Sequence, residues 1–159
     1  MSVRLVVKNS SPASVSPYRL LDERNREITW ANQFLDAQTV RQLSLRSLRA
    51  YAYDLLHLAR WFDHTRHSLH RLNQSLLLDY VRHQLDQVPK PTPQTINHRL
   101  TALRILFCFH YQREIPSKNR FLKHAYATRS PLGYGRPRTA VAGLRLKEPR
   151  RLLIPLSTE

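Results

Sequence analysis

The chain has one cysteine, Cys108, in 159 residues. A lone thiol makes no internal disulfide and gives no thiolate cluster for a metal, so cross-links cannot stand in for a core. Cys108 is expected as a small, half-buried side chain in a helix. Glycine is nearly as scarce. All three glycines, Gly133, Gly135 and Gly143, fall with Pro131, Pro137, Pro149 and Pro155 near the C-terminus, and together they exclude regular helix there. No apolar run approaches the length of a membrane span, and the opening Met1-Ser-Val-Arg-Leu-Val-Val-Lys8 is too short for a signal-peptide core. These absences predict a soluble, cytoplasmic protein without a membrane partner. Acid is also in short supply, with 11 Asp and Glu against 26 Lys and Arg, a net charge of +15 and a pI near 11.0. A surface that positive attracts polyanions. What is present in quantity is apolar residues, at 42% enough to bury the core of one ordinary domain.

Organisation follows from patterning. Residues 1–29 hold five basic and three acidic side chains, residues 30–116 eleven and six, and residues 117–159 ten and two, so the excess grows toward the C-terminus. The first 29 residues form an arm, with a β-prone run Val3-Arg-Leu-Val-Val7, a Ser/Pro-rich turn and a second run Tyr18-Arg-Leu-Leu21 that together suggest a hairpin. Asp22 to Glu27 reads as a turn. Helical periodicity then predicts a first helix from Thr29, as N-cap, to about Leu43, and a second, capped by Ser44, from about Leu45 to about His64. A third follows Asn73 and stops before Pro89. Thr92-Pro93 opens a fourth, to about Arg113, and a short fifth is expected over 118–126. The expected fold is all-α: a compact bundle of four to five helices over 30–126, preceded by the arm and followed by an extended, basic linker over 127–159 that is mobile when nothing is bound.

Two helix faces carry the candidate chemistry. The second helix presents Arg46, Arg49, Tyr53, His57 and Arg60 as a stripe with no acid among them, Asp54 and Asp63 lying off its centre. A solvated face ordinarily interleaves both signs, so a stripe of one sign points to a phosphate backbone. On the fourth helix, Ile96, Leu100, Leu103 and Phe107 mark the core side. The opposite arc carries Gln94, Asn97, His98, Thr101 and, at its edge, Arg104, hydrogen-bonding side chains of a length suited to base edges and phosphates. Taken alone this second arc reads more readily as an ordinary solvated face. Arg136 and Arg138 in the linker are further candidates for backbone contact.

The order of residues adds a resemblance. Leu43-Ser-Leu-Arg-Ser-Leu-Arg-Ala-Tyr-Ala-Tyr-Asp-Leu55, followed by Trp61-Phe62, resembles the second helix of the core-binding (SAM-like) domain of tyrosine site-specific recombinases and phage integrases. In that domain a capping Ser precedes Tyr-x-x-Asp-Leu and an aromatic pair. Thr92-Pro-Gln-Thr-Ile-Asn-His-Arg-Leu-Thr-Ala-Leu-Arg104 is similar to its fourth helix, and Tyr18 to Glu23 with Asn32 to Leu35 is similar to what precedes it. The resemblance spans about residues 18–125. It implies half of a clamp around double-stranded DNA that lays its second and fourth helices on a recombination half-site, joined by a basic linker to a catalytic half and meeting other protomers on DNA. It also points to Arg46, Arg49, Gln94, Asn97, His98, Thr101 and Arg104, the positions the helix faces select.

The family's chemistry needs a tyrosine nucleophile with arginines, lysine and histidine around a phosphate, all in a downstream domain. None of those motifs is here, and Ile154 to Glu159 resembles the first residues of that domain, so the chain is expected to be a non-catalytic piece of a longer recombinase. His57-Leu-Ala-Arg60 copies a His-x-x-Arg motif but stands mid-helix ahead of the DNA-binding features, where it reads as part of the basic stripe. His64, His67 and His70 read as histidines of a surface region, without the ligand set of a metal site. Tyr51, Tyr80 and Tyr111 read as packing residues, and Tyr134 lies in the linker. No cofactor is expected. Two other functions fit the composition: a stand-alone accessory or regulatory DNA-binding protein, and a basic module that binds acidic partners or RNA. A gel-shift titration separates them, since equal affinity for unrelated polyanions favours the interaction module and salt-sensitive duplex binding favours DNA.

Overall fold

The computed structural model describes residues 3–8, 12–116 and 144–148. Two strands, β1 (Arg4–Val7) and β2 (Tyr18–Leu21), precede four α-helices, α1 (Thr29–Val40), α2 (Leu45–Thr65), α3 (Gln74–Leu85) and α4 (Pro93–Tyr111), with a 3-10 turn at Leu69–Arg71. The expected helix over 118–126 and most of the linker, Arg136 and Arg138 included, fall outside the described residues.

The arm is the hairpin its two β-prone runs suggest. Its strands are antiparallel, with Arg4 opposite Leu21 and Val7 opposite Tyr18. The turn after β2 is closed by Asp22, whose carboxylate accepts the backbone N–H groups of Arg24 and Arg26 at 2.9 Å each and the Arg26 side chain at 2.8 Å. That local bonding tolerates the positive φ of 60° at Asn25.

Side-chain caps start three helices. Ser44, Asn73 and Thr92 accept the backbone N–H groups of Ser47, Leu76 and Thr95 at 3.2, 3.0 and 3.2 Å, and Pro93 takes the first helical position of α4, where its missing N–H costs nothing. The second and fourth helices both end on a left-handed residue, Arg66 (φ 55°) and Gln112 (φ 53°). Thr29 departs from expectation. The helix already includes it, and Ile28 is the N-cap without any side-chain bond. The hairpin does the capping instead, because Ile28 donates its N–H to Leu20 O at 3.0 Å and so fixes the entry of α1. This helix also ends at Val40, three residues before Leu43, where Gln42 at φ 59° turns the chain into α2.

One apolar stripe of α2 organises the core. Leu48 is buried at its start, and Ala52, Leu55, Leu58, Ala59 and Phe62 join one cluster with Phe34 and Leu35 of α1, Tyr80 of α3, and Leu100, Leu103 and Phe107 of α4. Phe34 sits edge-on to Tyr51 and to Phe109, both with centroids 5.6 Å away. Leu20 of the hairpin is fully buried in the same cluster, so the arm is part of the body. Cys108, expected half-buried, is instead exposed.

Asn32 ties the arm down. Its buried side chain accepts the Leu20 N–H at 2.9 Å and donates to Leu20 O at 3.1 Å. Asn32→Ala leaves the N–H of fully buried Leu20 without its acceptor, while the Leu20 carbonyl keeps the Ile28 N–H, at a cost of about 1–3 kcal/mol. Urea denaturation should register that loss, and hydrogen exchange should show Leu20 losing protection before the helices do.

Candidate nucleic-acid interface

Helices α2 and α4 pack against each other, and their polar faces are bonded together at the seam. Asp54 of α2 lies 2.6 Å from Nδ1 of His98 and 3.9 Å from Nε of Arg99, both on α4. Burial pushes the Asp54 carboxyl up, against the pull of His98 and Arg99. The Arg99 guanidinium also donates to Oε1 of the fully buried Gln84 on α3, at 3.0 Å. A polar network thus runs from α3 through Arg99 to Asp54, and it fixes how the two candidate helices sit.

On the outside of this seam the amino-terminal half of α2 is open. Arg46 and Arg49 are exposed, and no described acid forms an ion pair with either. The Arg49 guanidinium rests 5.7 Å above the ring of Tyr53, itself half exposed. Across the seam Gln94, His98 and Thr101 are exposed on α4, near the helix end whose first N–H groups suit an anionic oxygen. Arg46, Arg49, Tyr53, Gln94, His98 and Thr101 therefore occupy solvent-facing positions on two adjoining helices.

The other expected residues are elsewhere. His57 shares the angular stripe of Arg46 but is covered by α3. Its Nδ1 lies 2.8 Å from the Tyr80 hydroxyl, and Nε2 lies 3.0 Å from the Gln87 amide, which also reaches His83 at 3.3 Å. Burial, with Arg99 nearby, pushes His57 down to about 4. Arg60 is exposed, but its Nε donates to Val3 O at 3.0 Å and so holds the start of the arm. The stripe is accordingly open for its first two turns and engaged with the arm and α3 further on.

Asn97 was expected on an open arc and is buried, 5% exposed. Residues 144–148, expected to be free linker, lie over it as an extended strap. The Asn97 amide donates to Leu146 O at 2.9 Å and to the Glu148 carboxylate at 2.7 Å, and accepts the Leu146 N–H at 2.7 Å. Arg104, two turns along the same edge, is partly buried and donates to Leu144 O. Helical periodicity had identified the side of α4 but carried no information on what covers it.

Asp54, Arg99 and Gln84 had not been singled out as site residues. Asp54 and Arg99 do stand inside the two motif stretches quoted above, and their pairing across α2 and α4 is a structural reason for both. A cavity of about 350 Å³, lined by Trp30, Phe62, His67, His70, His110 and Tyr111 among others, is a separate feature from the seam. Among the described residues no three His, Cys, Asp or Glu side chains are arranged to hold a metal, and no helix is long and apolar enough to cross a membrane.

Three α-helices gathered around a long central fourth, α2, with a two-stranded arm at the front, define a small helical domain of the SAM-like class. The family model described as phage integrase, N-terminal SAM-like domain, matches residues 31–114, more than half of the chain, and the protein belongs to that family. No curated protein and no solved structure matches the chain.

The His57 environment predicts a pH dependence. The folded-state value lies below the ordinary 6.5, so the unfolded chain binds the proton first, and stability is full above about pH 6.5 and falls as pH drops from there toward 4. The ring is partly solvent-screened, which limits the effect to roughly 1–2 kcal/mol. Urea midpoints at pH 7 and pH 5 should differ more for the wild type than for His57→Gln. Parallel shifts in the two proteins would contradict the assignment.

Proposed function

We propose that this protein is the DNA-binding domain of a tyrosine recombinase: it holds a recombination half-site in duplex DNA while strand breakage and rejoining belong to a separate catalytic domain. The observation that carries the reading is the open basic start of α2, Arg46 and Arg49, beside the exposed polar start of α4, on two helices locked together through Asp54. Membership in the phage integrase family and a net charge of +15 support it.

In this reading Arg46 and Arg49 neutralise phosphates, which sets position and affinity without reading sequence. Tyr53 supports Arg49 by stacking and adds a hydroxyl at the same surface. Gln94, His98 and Thr101 face the major groove, where amide, imidazole and hydroxyl groups can address base edges. The chain itself carries out no chemistry, needs no cofactor, and acts in the cytoplasm with further protomers assembled on the same DNA.

Fluorescence anisotropy with labelled duplexes, titrated over salt, tests this directly. Arg46→Ala and Arg49→Ala should each weaken binding to all sequences alike and flatten the logarithmic salt slope by about 0.9, the contribution of one phosphate. Gln94→Ala and His98→Ala should instead alter the ranking among candidate half-sites. Wild-type affinity in both arginine variants, together with equal binding to heparin and to duplex, would sink the reading.

A further inference from the structure

The strap over α4 bears on how DNA would be held. Residues Leu144 to Glu148 read Leu-Arg-Leu-Lys-Glu, the alternation of an extended segment with one face buried. Leu144 and Leu146 pack on the core cluster, while Arg145 and Lys147 are exposed. The docking is built, not incidental: a buried asparagine spends its whole amide on the strap, and Arg104 holds the carbonyl two residues earlier. Glu148 returns to Arg145 at 2.9 Å, which curls the far end onto the same edge.

The position of the strap around α4 is the informative part. At about 100° per residue, Asn97 and Arg104 share one edge of the helix and His98 lies about 100° round from Asn97. His98 touches Asp54, so α2 lies along that edge. The exposed face bearing Gln94 and Thr101 is therefore bordered by α2 on one side and by the strap on the other. Each border carries exposed basic side chains, Arg46 and Arg49 on α2, Arg145 and Lys147 on the strap. A helix with its side chains is roughly 10–12 Å across, the width of the major groove, whose two walls are opposite phosphate backbones.

We propose that residues 144–148 are a second phosphate rail: with α4 in the major groove, α2 contacts the backbone of one strand, and Arg145 and Lys147 contact that of the other. Asn97 is then a positioning residue that holds the rail in place through the backbone of Leu146. The proposal rests on the DNA-binding reading above and assigns residues to it that the helix faces alone did not suggest.

The full chain and a labelled 30-base-pair duplex of random sequence suffice for the test. Arg145→Ala combined with Lys147→Ala should flatten the salt slope by about 0.9 for each side chain removed. Leu146→Pro deletes the N–H that Asn97 accepts and removes one partly buried leucine from the edge of the core, and it should flatten the slope although every charge is retained. Hydrogen exchange on the wild type should show a protected Leu146 amide, and on Asn97→Ala an unprotected one. Wild-type slopes in both strap variants, with Arg46→Ala still weakened, would overturn the rail alone. Failure of the wild type to bind the duplex would overturn the DNA-binding reading and the rail with it.

Discussion

Burial of the apolar stripe of α2 is the constraint on which the rest depends. This helix packs against α1, α4 and both strands, and its Trp61 ring meets Tyr80 of α3 with centroids 4.9 Å apart. A 21-residue helix used as a central spine has little freedom to rotate, since turning it would expose Leu55, Leu58 and Phe62 to water. Its polar side is therefore aimed by the core. The arginines at its start need no support of their own beyond the Tyr53 ring, because the stripe opposite them holds them outward.

A polar network finishes what the apolar core begins. Asp54, Arg99 and Gln84 connect three helices in surroundings where an unpaired polar group is costly, so their arrangement has few alternatives. Leucines accept neighbouring helix registers with modest losses, whereas a carboxylate placed between His98 and Arg99 does not. The seam between α2 and α4 is held in one register by this means. On the proposed DNA-binding reading, that rigidity is as useful as the charge the surface carries.

Much of this was legible in the sequence, for physical reasons. Ser44, Asn73 and Thr92 announce helix starts because their side chains satisfy N–H groups within three residues, and Pro93 belongs to the same local logic. The hairpin was legible from its two β-prone runs and the Ser/Pro-rich turn between them. What was not legible is contact between segments far apart in the chain. The wheel that put His57 with Arg46 is correct about angle, yet α3 arrives over the second half of that stripe. Asn97 was misjudged for a similar reason: 49 residues separate it from Leu146, and no periodicity reports such a partner. Thr29 lost its capping role to Leu20, again a residue brought close only by folding. Asp54 and Arg99 were in view as motif letters, but their pairing required the two helices to be side by side.

The way Asn97 holds the strap has a consequence for how such a surface can change over generations. The amide bonds main-chain atoms of Leu146, which every residue except proline possesses in the same form. Tolerance is therefore divided by position: Leu144 and Leu146 need only be apolar, Glu148 is held to a carboxylate or a like acceptor by the Asn97 amide, and the outward Arg145 and Lys147 can change without disturbing the bundle. Charge along this border of α4 can drift, reverse or be traded for aromatic contacts by single substitutions. The protein thus carries a replaceable edge on a fixed body, a place where a lineage can retune what it adheres to without having to refold.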